Sequence, residues 1–212
     1  MRHYSARVPG KNYRLLAGRP LYEYVLRTLS ACPEVDAIVV DTDSPEVREG
    51  ISQIFTDVTL LERPQHLRDE ILPINDVLLH DVTEVPAQFY IQTHSTNPLL
   101  KPQTIQSAIA AFFAAYPEHD SLIGVTRLQT RLWDTAGRPI NHDPQVLMRT
   151  QDLDPIFEEN SCLYIFERKG FLKRRNRVGE NPMMYEIEPQ EAWDIDEEWN
   201  FSLAEALILR ST

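Results

Sequence analysis

The sequence predicts an α/β fold, a three-layer α/β/α arrangement with a mixed but parallel-dominated sheet in the middle. Three observations predict it. Short, largely apolar runs alternate along the chain with longer segments whose apolar residues recur every three or four positions. The short runs are rich in Val, Ile and Leu, as expected of strands covered on both faces. Of the 212 residues, 42% are hydrophobic and 25% charged, enough apolar material for one sizeable core.

The elements follow in order. "RPLYEYVLRTL" puts Pro20 at a helix start and spaces Leu21, Val25 and Leu29 along one face. "AIVV" (Ala37 to Val40) reads as a buried strand. "DSPEVREGISQIF" offers Ser44 as a cap, Pro45 behind it, and Val47, Ile51 and Ile54 on one face. "VTLL" (58–61) is a strand, "INDVLLHDVTEV" a helix, "QFYIQ" (88–92) a strand, "PQTIQSAIAAFFAAY" a helix and "SLIGVT" (121–126) a strand. The rhythm then breaks. Residues 130–159 are weakly periodic and read as a flap or oligomer contact within a single domain, 1–212. "CLYIF" (162–166) and "MYEIE" (184–188) return to strand, and "EEWNFSLAEALIL" closes as a helix. In such a sheet, ligands are expected on the loops at the carboxyl ends of the strands.

Composition narrows the function classes. The longest nearly apolar stretch, Ala108 to Tyr116, is too short to span a bilayer, and the first ten residues lack the apolar core of a signal peptide. A soluble, cytoplasmic protein without a membrane partner is expected. A net charge of -11 argues against nucleic acid as the main partner. Cys32 and Cys162 have no ligand spacing and are expected to be two buried thiols.

The charge is distributed in two poles. Met1 to Tyr22 contains Arg2, Arg7, Lys11, Arg14 and Arg19 and no acidic residue. Val178 to Leu209 contains nine acidic residues and no Lys or Arg. Within the acidic pole, "WDIDEEW" would put Asp194 and Asp196 on one side of an extended segment, a hard, oxygen-rich pair suited to Mg²⁺. The same residues also suit a helix start, with Asp196 as cap and Glu197 and Glu198 in the first turn. In the basic pole, "VPGKN" sets turn formers and Lys11 just ahead of the first helix, an arrangement suited to polyphosphate. A metal pair and a polyphosphate loop together imply a nucleotide–Mg²⁺ reaction.

These residues resemble the N-acylneuraminate cytidylyltransferase (CMP-sialic acid synthetase) family. Its opening motif, roughly R-x-x-S-K-x-[IVL]-P-x-K-N, is similar to "RHYSARVPGKN", with Arg2, Ser5, Pro9, Lys11 and Asn12 in place. "LAGRPLYEYVL", "VVDTDSPEV", "LERPQHLRDE", "STNPLLKPQTIQSAI", "ENSCLYIF" and "DIDEEWNFSLAEAL" resemble further family segments in the same order. The resemblance implies a nucleotide-diphospho-sugar-transferase-like, Rossmann-like fold. It also implies a reaction in which CMP passes from CTP to the anomeric hydroxyl of a sialic-acid-type 2-keto sugar acid, releasing pyrophosphate. Asp194 and Asp196 would hold Mg²⁺, and Arg2 and Lys11 would neutralise the triphosphate. Ser5, Asn12 and Arg63 would line the nucleotide site, and Gln92, His94, Ser95, Thr96 and Asn160 the sugar site. A homodimer through residues 130–159 is a further expectation of the family.

The chain departs from the family at several points. The family's apolar strand ahead of the first arginine is missing before Arg2, and a misassigned or trimmed start is expected. His3, Tyr4 and Arg7 stand where glycines are common. Leu100 replaces the arginine of "PTSPLR", and Ser161 the glycine after Asn160. The glutamine that precedes "PTSPLR" falls on His94 or, two positions earlier, on Gln92. A catalytically impaired relative that binds only nucleotide or a partner, and another nucleotide-sugar transferase using Asp-x-Asp, are the alternatives. His66, His80, His119 and His142 read as surface or satisfied histidines, and "ERKGFLKRRNR" (167–177) as a solvated basic helix.

Overall fold

A computed structural model describes residues 1–69 and 71–211. A small hairpin, β1 (Leu15–Leu16) and β2 (Arg19–Pro20), leads into α1 (Leu21–Ser30). Pro20 precedes the helix rather than opening it. Next come β3 (Ile38–Thr42), α2 (Pro45–Ile54) and β4 (Val58–Glu62). The Ser44 hydroxyl caps α2 by accepting the Val47 amide at 3.4 Å, with Pro45 in the first turn. The chain continues through α3 (Ile74–Glu84), β5 (Phe89–Thr93), α4 (Pro102–Ala115) and β6 (Ser121–Leu128). It closes with β7 (Ile156–Glu167), α5 (Arg168–Arg174), β8 (Pro182–Glu186) and α6 (Glu198–Ser211).

The strands form a mixed sheet in two parts. β3 and β4 pair in parallel, and the larger part runs β5-β7-β6-β8. In that part only β6 and β8 are parallel, whereas β7 runs antiparallel to both β5 and β6. The antiparallel share exceeds the parallel-dominated sheet expected from the strand–helix rhythm. The cause is the β6–β7 connection, which contains no α-helix. A parallel return needs a crossover, usually helical, so β7 comes back antiparallel and enters between β5 and β6. β7 is also longer than "CLYIF" suggested. It begins at Ile156, which trims the irregular excursion to residues 129–155.

Side chains alternating along the strands build the three layers. On one face Leu163 and Ile165 of β7 pack with Phe89 and Ile91 of β5 beneath Ile105, Ile109 and Phe112 of α4. On the other, Tyr164 and Phe166 meet Leu78 and Val82 of α3 and Phe171 of α5. α1 and α2 cover Val40 of β3 with Val25, Leu26, Val47 and Ile51. Cys32 and Cys162 are free and buried, as expected. Leu100, standing where the family has arginine, is core.

The N-terminal loop and the C-terminal helix share a fourth cluster, with Val8, Leu16 and Leu21 against Ile195, Phe201 and Ala204. This contact brings the two poles of charge together. Arg14 pairs with Glu198 at 2.6 Å, and Arg7 with Asp196 at 2.8 Å. Both pairs are largely exposed and screened by solvent, so neither holds the contact by itself. Apolar burial holds the contact, and the charges set its register.

Candidate active site

β3 and β5 face each other across a cleft of about 890 Å³. No strand among the described residues lies between them. The cleft is lined below by Val39, Val40 and Ile91. Its upper rim carries Arg2, Ser5, Lys11 and Asn12 from the N-terminal loop, His94, Ser95 and Thr96 after β5, and Asp194 and Asp196 near the C-terminus. This rim lies at the carboxyl ends of β3 and β5, the position expected of a ligand site in an α/β sheet.

Local sequence positions each rim segment. Gly10 turns the loop at a φ of 67°, and a Cβ there would meet the Tyr13 ring at 2.9 Å. The turn directs Lys11 across to the C-terminal segment, where its Nζ donates to the Ile195 carbonyl at 2.6 Å and reaches Asp196 at 3.3 Å. Asn12 donates to the Arg2 carbonyl at 2.7 Å and accepts the Ser95 hydroxyl at 2.6 Å. The Ile195 amide donates to the Thr96 carbonyl at 2.9 Å. Asn97 holds the carbonyls of Ala192 and Trp193 at 3.2 Å. Three segments remote in sequence are thereby fixed into one rim.

Asp194 and Asp196 differ in environment. Residues 193–196 belong to no strand and lead directly into α6. Asp196 is half-exposed and held by Arg7 and Lys11. The amides of Asp196 and Glu197 are received by the Asn200 side chain instead of an Asp196 cap. The Asp194 carboxyl is pushed up by burial and by neighbouring Asp196, against the lowering effects of the Thr96 hydroxyl and Lys11. Its Oδ1 is buried without a hydrogen-bond partner. An unpartnered carboxylate oxygen beside a second carboxylate fits a divalent cation with oxygen ligands.

The remaining candidate residues fall into place around this rim. Arg2 is exposed, and its guanidinium forms no ion pair within 4.0 Å among the described residues. The Ser5 hydroxyl receives the Val8 amide at 3.4 Å. Gln92 and His94 sit together, with Gln92 Nε2 and His94 Nε2 2.8 Å apart. Burial first, then Arg177, the amino terminus and Lys11, lower the His94 ring to about 4, so it is neutral at pH 7. Asn160 spends its amide on the Thr126 hydroxyl at 3.0 Å and the Cys162 amide at 3.1 Å, inside the sheet. Its neighbour Ser161 lines the cleft instead, at a φ of 56°. That left-handed value explains why a glycine suits this position. Arg63 lines the cleft but is only 5% exposed, and its guanidinium is bonded to the buried Asp41 carboxylate.

Two features were not legible in the sequence. Arg177, part of the supposed solvated run, turns inward onto Tyr164 and Gln92. Asp41, His80 and Asp81 also converge, their ligand atoms within 4.8 Å of one another. The Arg63 guanidinium on Asp41 opposes a cation there. Neither grouping has a local motif, because each draws on more than one element.

The Asp41–Asp81 contact leads to a prediction. Burial, then the neighbouring Asp41, raises the Asp81 carboxyl from 3.8 to about 7. The folded chain therefore keeps a proton that the unfolded chain has released, so stability is lost as pH rises from about 4 to about 7. Asp81→Asn removes that loss. The variant is expected to melt with the parent at pH 4 and to gain on the order of 4 kcal/mol at pH 8. Thermal denaturation at both pH values checks it, and an equal shift at both would exclude the linkage.

The profile of the family described as "Cytidylyltransferase" matches residues 1–210. The chain belongs to the cytidylyltransferase family. It is 25% identical over 97% of its length to N-acylneuraminate cytidylyltransferase of Oncorhynchus mykiss, of which the match covers 48%. It is 27% identical over 96% of its length to CMP-N,N'-diacetyllegionaminic acid synthase of Legionella pneumophila, covering 91% of that protein. The chain thus spans about half the length of the fish relative and nearly all of the bacterial one. The solved structure of CMP:2-keto-3-deoxy-manno-octonic acid synthetase complexed with CTP superposes with a TM-score of 0.71 at 14% identity. It covers 100% of this chain and 97% of its own. That similarity establishes the α/β nucleotidyltransferase fold.

Proposed function

We propose that this chain transfers CMP from CTP to the anomeric hydroxyl of a sialic-acid-type 2-keto sugar acid, releasing pyrophosphate and forming a CMP-sugar. The observation that carries this reading is the convergence of Lys11 and Arg2 with Asp194 and Asp196 on one rim of the cleft. The names of the relatives, both enzymes of CMP-sugar acid synthesis, support the acceptor class.

The chemistry needs little covalent help from the protein. The acceptor hydroxyl gives up its proton to solvent, its oxygen bonds to the α-phosphorus and the bond to pyrophosphate breaks, so the protein's task is positioning and charge stabilisation. Lys11 sits on a turn whose backbone is fixed by Gly10, so its ammonium is pre-placed for the triphosphate. Arg2, without an ion pair among the described residues, adds a second cation on the same rim. Asn12, locked by Ser95 and Arg2, holds the loop shape, and Arg63 supports it from below. Asp194 and Asp196 would hold Mg²⁺, which when bound supplies charge neutralisation at the phosphates. The excursion over residues 129–155 exposes Trp133, Ile140, Val146 and Leu147 to solvent, which supports a homodimer through this segment.

A thermal shift series with CTP, UTP, GTP and ATP, each with and without Mg²⁺, tests the reading. CTP at 100 times its dissociation constant is expected to stabilise the fold by about 2.7 kcal/mol, more with Mg²⁺ than without. Equal shifts with all four nucleotides, or none with CTP, would overturn it.

A further inference from the structure

Asp194 reaches the rim on a segment that belongs to no strand or helix, so contacts outside that segment must hold its backbone. Just before it the chain turns on itself, the Glu191 and Ala192 amides donating to the Glu188 carbonyl at 2.9 and 3.0 Å. Two buried polar side chains tie this turn to the β5–α4 connection and the first turn of α4. Neither is among the residues that line the cleft. Asn97 spans the Ala192 and Trp193 carbonyls with its amide. Glu191 makes the second tie. Its Oε2 accepts the Lys101 amide at 3.0 Å and the Thr104 hydroxyl at 2.6 Å, and its Oε1 accepts the Lys101 ammonium at 3.0 Å. Burial opposes a charge on Glu191, but the Thr104 and Lys101 contacts outweigh it and hold the carboxyl below the usual range.

The Glu191 contact has the form of a helix cap, because the first amides of an α-helix lack partners within it. A cap is ordinarily supplied by the residue next to the helix, and Lys101 offers none from its side chain. Here the cap comes from 90 residues further along the chain, three positions before Asp194. On the far side of Asp194, the Ile195 amide donates to the Thr96 carbonyl at 2.9 Å. Asp194 is thereby held between two fixed points. The connection that supplies them also carries His94, Ser95 and Thr96 of the rim. Asp194 Oδ1 makes no hydrogen bond of its own, so its aim depends on how the backbone on either side is held.

We propose that Glu191 is a positioning residue: by clamping its segment to α4, it sets where the Asp194 carboxylate stands for the divalent cation. The role rests on the proposed reading of Asp194 as a metal ligand. Calorimetric titration of the full chain with CTP, with and without Mg²⁺ and with no sugar acid present, tests it through the gain in CTP affinity that Mg²⁺ confers. The wild type is expected to show such a gain. Glu191→Asp keeps the charge but is one methylene shorter, and should cut the gain by about tenfold or abolish it while CTP affinity without Mg²⁺ stays at the wild-type value. Glu191→Gln keeps the length and can still accept from the Lys101 amide and Thr104, so it should recover most of the gain. Thr104→Val removes one hydrogen bond of the clamp from the α4 side and should reduce the gain by a smaller factor. It decides the matter if Glu191→Asp does not fold. A residue that only caps α4 would lower the melting temperature of these variants and leave the gain untouched. A wild-type gain in Glu191→Asp and Thr104→Val would therefore overturn the proposal. No gain in the wild type, with CTP still bound, would remove the metal reading of Asp194 itself and the positioning role with it.

Discussion

Asp194→Asn is expected to lower kcat by roughly 1000-fold or more while leaving the fold intact or slightly firmer. The two halves of this expectation have one cause. Asp194 is buried, its Oδ1 has no partner, and burial with Asp196 raises its carboxyl above the ordinary range. Its charge is therefore a cost to the folded chain. Asparagine keeps the shape and removes that cost, so the melting temperature at neutral pH holds or rises. The same charge is what a divalent cation and the developing phosphate charge require, so turnover collapses. Single-turnover kinetics beside thermal melts separate the two effects. A variant that retained turnover would remove Asp194 from the metal site. A variant that lost both activity and stability would mark the residue as structural.

Arg63→Ala is expected to destabilise the chain by about 3–5 kcal/mol, the cost of leaving a buried charge without its partner. Arg63 and Asp41 are both almost wholly buried, with side chains 6% and 3% exposed, and they are bonded to each other. The buried amino terminus and Asp81 crowd the same place. The double variant Arg63→Gln, Asp41→Asn should recover much of the loss, since two neutral amides can replace the pair. Urea denaturation of the two single variants and the double variant checks the cycle, and an unchanged Arg63→Ala midpoint would sink it. The double variant also resolves what Arg63 does. If its stability returns and CTP affinity stays at the parent value, the residue supports the cleft floor. If affinity falls about tenfold or more, it touches the nucleotide as well.

Much of the frame was readable from the chain itself. Ser44 and Pro45 started α2 where a cap and a first-turn proline should, because both act within four residues of backbone. The apolar runs of β3, β4, β5 and β6 appeared within two residues of their expected bounds. Lys11, Asn12, Ser95, Thr96, Asp194 and Asp196 were all named from their motifs, and the fold brings them to one rim. Asn160 was named from its motif too, yet it braces the strand while Ser161 faces the cleft. A motif marks a neighbourhood, and side-chain direction depends on the pleat.

What the sequence determined by itself was whatever acts over a turn or less, namely periodicity, caps, the Gly10 turn and the identity of the charged groups. Only the tertiary structure decided which charges meet. It paired Arg14 with Glu198 and Lys11 with Asp196, buried Arg63 against Asp41, and turned Arg177 from a supposed surface run onto Tyr164. It also placed β7 antiparallel between β5 and β6, reshaping the sheet that carries the site. The physical reason is common to all of these. Backbone preferences are local, but burial and Coulomb energy depend on distances between residues far apart in the chain, and those distances exist only once the layers have packed.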